Sequence, residues 1–285
     1  MIKSTEATWI THTSLNGTVI GGFESNSQKQ TAPLVLIPGI GGKVSSLKLT
    51  ARALHDRGLT ATSFDTSEAH GKLGSAKTMS EYGRLLIEAV DEEWDDGRPI
   101  DVIGHSWGGI LAQEIAVTYP DRVRKLGLLS TLPGGVPYST ISPSVMLAMM
   151  RPGRSLERLR EIGSKLYGGD FRDNPDLIES LEIAHEVDAG SYRRQNGAAF
   201  LSAWSSLANQ IKHIKADTLV MGGSDDPITP FRNSEILHGR IADSHLVRVE
   251  AGGHMFAMSR ADYTADIIDA FIGHALVGDS FGGVA

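Results

Sequence analysis

Ile100-Asp101-Val102-Ile103-Gly104-His105-Ser106-Trp107-Gly108-Gly109-Ile110-Leu111-Ala112-Gln113-Glu114-Ile115-Ala116 is the stretch on which the fold turns. Its first four residues read as a short buried strand, and residues 109–116 read as a helix with an apolar face. Between them a serine stands in the pattern Gly-x-Ser-x-Gly. At a strand-to-helix turn this pattern lifts the serine hydroxyl into a cleft, and only glycine-sized neighbours let the backbone close around it. In a chain with 32 glycines the motif alone is weak, and the bland alternative is a tight turn with a solvated serine. The rest of the chain must supply a base, an acid and a pair of oxyanion donors.

Working outward, apolar runs alternate with helical stretches. Strands are expected at 34–37, 60–64, 100–103, 126–129, 218–221 and 245–249. Helices are expected at 46–57, 80–94, 107–119, 231–241 and 263–276. The N-terminus reads as a hairpin of 7–12 and 18–23 turning at Asn16-Gly17, followed by a polar loop at 25–32. Alternation with uniformly apolar strands predicts an α/β fold, a mostly parallel central sheet covered by helices on both faces. Residues 133–208 interrupt the series with four helical stretches, at 143–150, 156–167, 175–187 and 192–207. They form a helical lid inserted after the fifth or sixth strand. The expected organisation is therefore a core of 1–132 and 209–277, a lid of 133–208, and a flexible tail of 278–285. An insertion at that point sits over the carboxyl ends of the strands, where open α/β sheets bind ligands.

Composition narrows the partners. The chain has 285 residues, 41% hydrophobic, with no cysteine and a net charge of −7. Lack of cysteine excludes disulfides, thiolate zinc sites and a cysteine nucleophile. The negative charge argues against a nucleic-acid partner, which needs a basic face. No apolar run is long enough to span a membrane, and residues 1–23 alternate rather than carry an apolar signal core, so a cytoplasmic location is expected. The oligomeric state is not readable.

A serine hydroxyl needs a base within hydrogen-bond reach and an acid to orient that base. His254, in Gly252-Gly253-His254-Met255-Phe256, follows the strand 245–249 and precedes the last helix, which makes it the candidate base. His105, inside the elbow, should point its side chain away. After the strand 218–221, Gly222-Gly223-Ser224-Asp225-Asp226-Pro227-Ile228-Thr229-Pro230 offers two competing carboxylates, Asp225 and Asp226. The oxyanion donors expected are the Trp107 amide, which follows the serine, and the Ile40 amide in Pro38-Gly39-Ile40-Gly41-Gly42. A dinucleotide reading of that loop fails, because G-x-G-x-x-G would need glycine where Val44 stands. No H-E-x-x-H or ligand cluster suggests a metal, and the chemistry needs no cofactor.

The elbow, the Gly39-Ile40-Gly41 loop, the lid stretch Tyr167-Gly168-Gly169-Asp170, Asp225-Asp226-Pro227 and Gly253-His254-Met255-Phe256 together resemble the α/β-hydrolase superfamily. Within it they resemble the intracellular poly(3-hydroxyalkanoate) depolymerases, over roughly residues 34–272. The resemblance implies the α/β-hydrolase fold with the order serine, acid, histidine along the chain. The acid in many such hydrolases stands four residues before a proline, which selects Asp226 ahead of Pro230. The implied activity is carboxylic-ester hydrolysis by Ser106, His254 and Asp226. An apolar acyl part, for which the resemblance implies a 3-hydroxyalkanoate ester or oligomer, would meet a lid wall of Met146, Met149, Met150, Tyr167 and Trp204, with Met255 beside the base; methionines make such walls adaptable. Lactone opening, C–C hydrolysis and cofactor-free perhydrolysis use the same residues and remain open, as does a non-catalytic ligand receptor.

Overall fold

The eight strands are β1 (Trp9–Thr13), β2 (Val19–Phe23), β3 (Leu34–Ile37), β4 (Ala61–Phe64), β5 (Ile100–His105), β6 (Val123–Leu129), β7 (Asp217–Gly223) and β8 (Ser244–Val249). They form one sheet in the order β1-β2-β4-β3-β5-β6-β7-β8. The first two pairings, β1 with β2 and β2 with β4, are antiparallel, and all the others are parallel. This computed structural model describes residues 7–24, 31–67, 72–94, 97–138, 141–150, 156–174, 176–180, 189–204 and 207–273. The loop expected at 25–32 is therefore described only at its end, and the tail expected at 278–285 lies outside the described residues.

The uniformly apolar strands sort by parity, because successive side chains of a strand point to opposite faces. Leu34, Leu36, Ile103, Leu129, Leu219 and Met221 face one core, and Val35, Ile37, Val102, Leu128 and Val220 face the other. The first core is closed by α1 (Lys48–Asp56), through Ala51 and Leu54, and by the C-terminal helix through Ile267, Ile268 and Phe271. The second is closed by α2 (Met79–Trp94) and α3 (Trp107–Thr118), through Leu86, Val90, Leu111 and Ile115. Each such side chain, once fully buried, contributes roughly 1.5–3 kcal/mol. A run of four apolar residues is thus what a strand covered on both faces requires.

Between β6 and β7 the chain is helical: α4 (Pro143–Met150), α5 (Leu156–Tyr167), α6 (Asp170–Asp173), α7 (Leu177–Ser180), α8 (Ala189–Trp204) and α9 (Leu207–Gln210). The stretch expected to be helical at 175–187 is described as helix only over α7, and residues 181–188 lie outside the described residues. After β7 come α10 (Arg232–Arg240), then β8, α11 (Phe256–Ser259) and α12 (Ala261–Ile272).

Several boundaries differ from the sequence reading; β6, for one, begins at Val123 rather than at 126. Residues 44–47 form a 3-10 turn before α1 rather than its first turn. The stretch expected at 192–207 is helical through α8 to Trp204 and again from Leu207 in α9, and residues 205–206 lie outside the described residues. The last helix begins earlier than expected and breaks at Arg260, which sits at φ −122° and ψ 49°. At this break the Arg260 guanidinium reaches out to the Asp170 carboxylate and to the Glu250 carbonyl, tying the last helices to the insertion.

The strand order reverses at β3, with β4 on one side and β5 on the other. The loops that follow β3 and β5 therefore leave the sheet in neighbouring positions, with Ile37 paired to Gly104 at the exit. Such a switch point forms a crevice at the carboxyl edge of an open sheet. A larger cavity, about 380 Å³, lies at the opposite edge beside Pro33 and Thr60, the amino ends of β3 and β4, where its His12 is paired with Glu93.

Candidate active site

Ser106 caps β5 at φ 55° and ψ −119°, a conformation that L-residues rarely adopt. Such a backbone costs on the order of 1–3 kcal/mol and persists only where the surroundings impose it. Here they do. A β-carbon at Gly104 would lie 2.3 Å from the Gly108 carbonyl oxygen, and one at Gly108 would lie 2.3 Å from that of Ile37. The two glycines let β5, α3 and β3 approach, and Thr131 Oγ1 donates to the Ser106 carbonyl at 2.6 Å to hold the turn. The serine side chain projects into a cavity of about 50 Å³ lined by, among others, Ile40, Leu47, Tyr167, Ile228, Met255 and Met258.

His254, Asp226 and Ser106 converge there. Ser106 Oγ stands 2.9 Å from His254 Nε2, and Asp226 Oδ2 stands 2.9 Å from His254 Nδ1. A carboxylate only accepts, so Nδ1 carries the proton and Nε2 is left to accept from the serine. The Asp226 oxygens also accept from the backbone amides of Ile228 and Thr229, both at 2.8 Å, and from Thr229 Oγ1 at 2.6 Å. Burial alone would push this carboxyl up. The facing His254 charge and hydrogen bond, with the Thr229 bonds, outweigh burial and hold it below its ordinary value.

The competing aspartate is turned elsewhere. Asp225 accepts from the Gly169 amide at 2.7 Å and from the Arg172 guanidinium at 2.9 Å. It joins the acid loop to the inserted segment, while Asp226 faces the histidine.

His105 is a correction to the sequence reading. Its side chain does not point away but packs beneath the site, its ring 5.2 Å from that of His254. Its Nε2 donates to the His254 carbonyl at 2.9 Å, and the His254 amide donates to the Tyr167 carbonyl at 2.7 Å, so the histidine backbone is gripped from both sides. Burial, reinforced by the neighbouring His254, lowers the pKa of His105 to about 4. Neutral at ordinary pH, it keeps the Nε2 proton that this bond requires.

The remaining expected residues divide. Tyr167 and Met255 line the cavity, as does Ile40, and Trp107 opens α3 immediately after the serine. The side chains of Met146, Met149, Met150 and Trp204 lie outside the described residues. Leu147, Phe200 and Leu201, apolar residues of the insertion, are exposed. Gln195 escaped sequence reading entirely: it is buried on α8 and bonds to the loops after β3 and β4. Among the described residues no group of three or more His, Asp or Glu converges to hold a metal, and no helix is long and apolar enough to cross a membrane.

A doubly wound sheet of this order, with a strained serine elbow at its switch point, is the architecture of α/β hydrolases. Residues 34–267 match the Alpha/beta hydrolase family, and the chain belongs to it. It is 32% identical over 243 residues to a poly(3-hydroxyalkanoate) depolymerase of Ectopseudomonas oleovorans, an alignment covering 84% of each chain. It is 27% identical to a 2-hydroxymuconate semialdehyde hydrolase of Pseudomonas putida, covering 89% of this chain and 92% of that one. The crystal structure of the enol-lactonase from Burkholderia xenovorans LB400 shares the fold, with a TM-score of 0.71 at 18% identity, covering 92% of this chain and 99% of that one.

Proposed function

We propose that the protein is a carboxylic-ester hydrolase working through an acyl-enzyme on Ser106. The observation that carries this reading is His254 standing 2.9 Å from both Ser106 Oγ and Asp226 Oδ2. Ser106 Oγ attacks the acyl carbonyl while His254 Nε2 takes its proton, giving a tetrahedral oxyanion. His254 then protonates the leaving alkoxide as the carbon–oxygen bond breaks, leaving the acyl group on Ser106. Water, deprotonated by His254, attacks that ester, and the collapse returns the proton to Ser106 and releases the acid. Asp226 holds the imidazole in the tautomer with Nδ1 protonated and stabilises its charged form. The oxyanion is met by the Trp107 amide, at the unsatisfied first turn of α3, and by the Ile40 amide. No metal or organic cofactor enters any step.

The substrate reading rests on two supports. The cavity beside Ser106 is walled by Ile40, Leu47, Ile228, Met255 and Met258, which suits an apolar acyl part. The 32% identity with a poly(3-hydroxyalkanoate) depolymerase favours 3-hydroxyalkanoate esters or oligomers. In this reading residues 1–132 and 209–277 form the core, and 133–208 form a lid whose Tyr167 contacts the substrate. Likeness to an enol-lactonase and to a 2-hydroxymuconate semialdehyde hydrolase favours lactone opening or C–C hydrolysis as the second reading. Hydrolysis rates across p-nitrophenyl esters of increasing acyl length, 3-hydroxyacyl esters, lactones and a vinylogous diketone separate them. Ester cleavage that disappears in Ser106→Ala is the expected result, and a Ser106→Ala protein with the wild-type rate contradicts the mechanism.

A further inference from the structure

Gln195 lies within α8 and is 0% exposed. A primary amide without water must have every polar group met, and here each partner belongs to a loop at the carboxyl edge of the sheet. Its Oε1 accepts from the Gly41 amide at 2.7 Å, in the loop after β3. Its Nε2 donates to the carbonyl and Oγ1 of Thr66, both at 3.0 Å, just after β4. Its own carbonyl accepts from the Trp107 indole at 2.9 Å, just after β5. One residue of the insertion thus bonds to two core loops and to the first residue of α3.

The bond to Gly41 fixes a particular peptide. The Ile40 N–H belongs to the Gly39–Ile40 peptide plane, which is joined at the Ile40 α-carbon to the following Ile40–Gly41 plane. The preceding one is pinned by the Gly42 amide, which donates to the Gly39 carbonyl at 2.9 Å. The following one carries the Gly41 N–H, and Gln195 Oε1 is its partner. With both planes held, the direction of the Ile40 N–H is set before substrate arrives, which is what electrostatic stabilisation of an oxyanion requires. The other expected donor, Trp107, is tied through its indole to the same residue.

We propose that Gln195 is a positioning residue for the oxyanion hole, so that the hole is complete only while α8 is docked on the core. The proposal rests on the ester-hydrolase reading above. It predicts that Gln195 acts on the transition state and little on ground-state binding, because it holds the peptide next to the donor's and does not touch the substrate.

The test is steady-state hydrolysis of p-nitrophenyl acetate by the full chain. Gln195→Met keeps the length and removes the amide. Loosening one oxyanion donor is expected to lower kcat about ten- to a hundredfold, with KM within about threefold of wild type. Gln195→Glu keeps an acceptor for the Gly41 amide and is expected to retain several times the kcat of the methionine variant. A methionine variant with wild-type kcat overturns the proposal, as do equal losses in the methionine and glutamate variants. If the methionine variant does not fold, Gln195→Asn decides: it withdraws the amide by one methylene, so kcat should fall at unchanged KM, and wild-type kcat overturns the proposal. A wild-type protein that hydrolyses no ester removes the ester-hydrolase reading and this proposal together. An active wild type matched by its Gln195→Met variant removes this proposal alone.

Discussion

His254 is held by more than Ser106 and Asp226. Its ring is oriented by Asp226, its amide donates to the Tyr167 carbonyl, and its carbonyl accepts from His105. Asp226→Asn would leave the site's shape intact but favour the wrong imidazole tautomer, so kcat for ester hydrolysis should fall by about 10⁴-fold. Thr229→Val removes one of the bonds to Asp226 Oδ2 while the two backbone amides stay, and a loss of roughly tenfold or less is expected. His105 gives a pH prediction. Its folded pKa is about 4 against an ordinary 6.5, so between those values the unfolded chain binds a proton that the folded chain refuses. The stability from neutral His105 is therefore complete above about pH 6.5 and is lost as pH falls toward 4. A shift of this size corresponds to a few kcal/mol. In His105→Gln, which can still donate to the His254 carbonyl, the fall in Tm between these pH values should be shallower than in wild type. An equally steep fall would show that His105 does not carry the effect.

The segment linking α5 to α6 acts as a strut between the insertion and the core. Gly168 and Gly169 both have positive φ, 64° and 48°. A β-carbon on Gly169 would lie 2.1 Å from the Gly253 nitrogen, next to the base. Gly169→Ala should therefore lower Tm and kcat together, by about 2 kcal/mol or more in stability, measurable by thermal unfolding alongside ester turnover. Much of the element plan was legible in sequence. β3 and β5 are buried along their whole length, so a plain apolar run announced them, and the elbow sat where one such run met a helix. The spacing to Pro230 pointed to Asp226, and the structure turns Asp225 toward Arg172 instead. What escaped was long-range. The bond from Arg260 at the helix break reaches Asp170, 90 residues away in sequence, and the inward-turned His105 meets the carbonyl of His254, 149 residues away. Gln195 carries no local signal, because its partner Gly41 lies 154 residues earlier. Local pattern carries periodicity and turn chemistry, whereas such pairings exist only once the chain has folded.

On the scale of the molecule, the switch point of the sheet brings together the loops after β3 and β5, and the loops after β7 and β8 add Asp226 and His254. The helical segment between β6 and β7 is tied to this edge of the core through Gln195 on one side and Asp170 on the other. Because no step draws on a metal, ester turnover should survive exhaustive dialysis against EDTA, and a loss restored by a divalent cation would contradict that reading. The central claim is that Ser106 is a nucleophile driven by His254, and covalent labelling tests it most directly. The wild-type protein, Ser106→Ala and His254→Ala would each be incubated with a fluorophosphonate, and the adduct located by peptide mass spectrometry. The prediction is one adduct on Ser106 of the wild type, none on Ser106→Ala and markedly slower labelling of His254→Ala. A wild type that stays unlabelled, or carries its adduct on another residue, would contradict it.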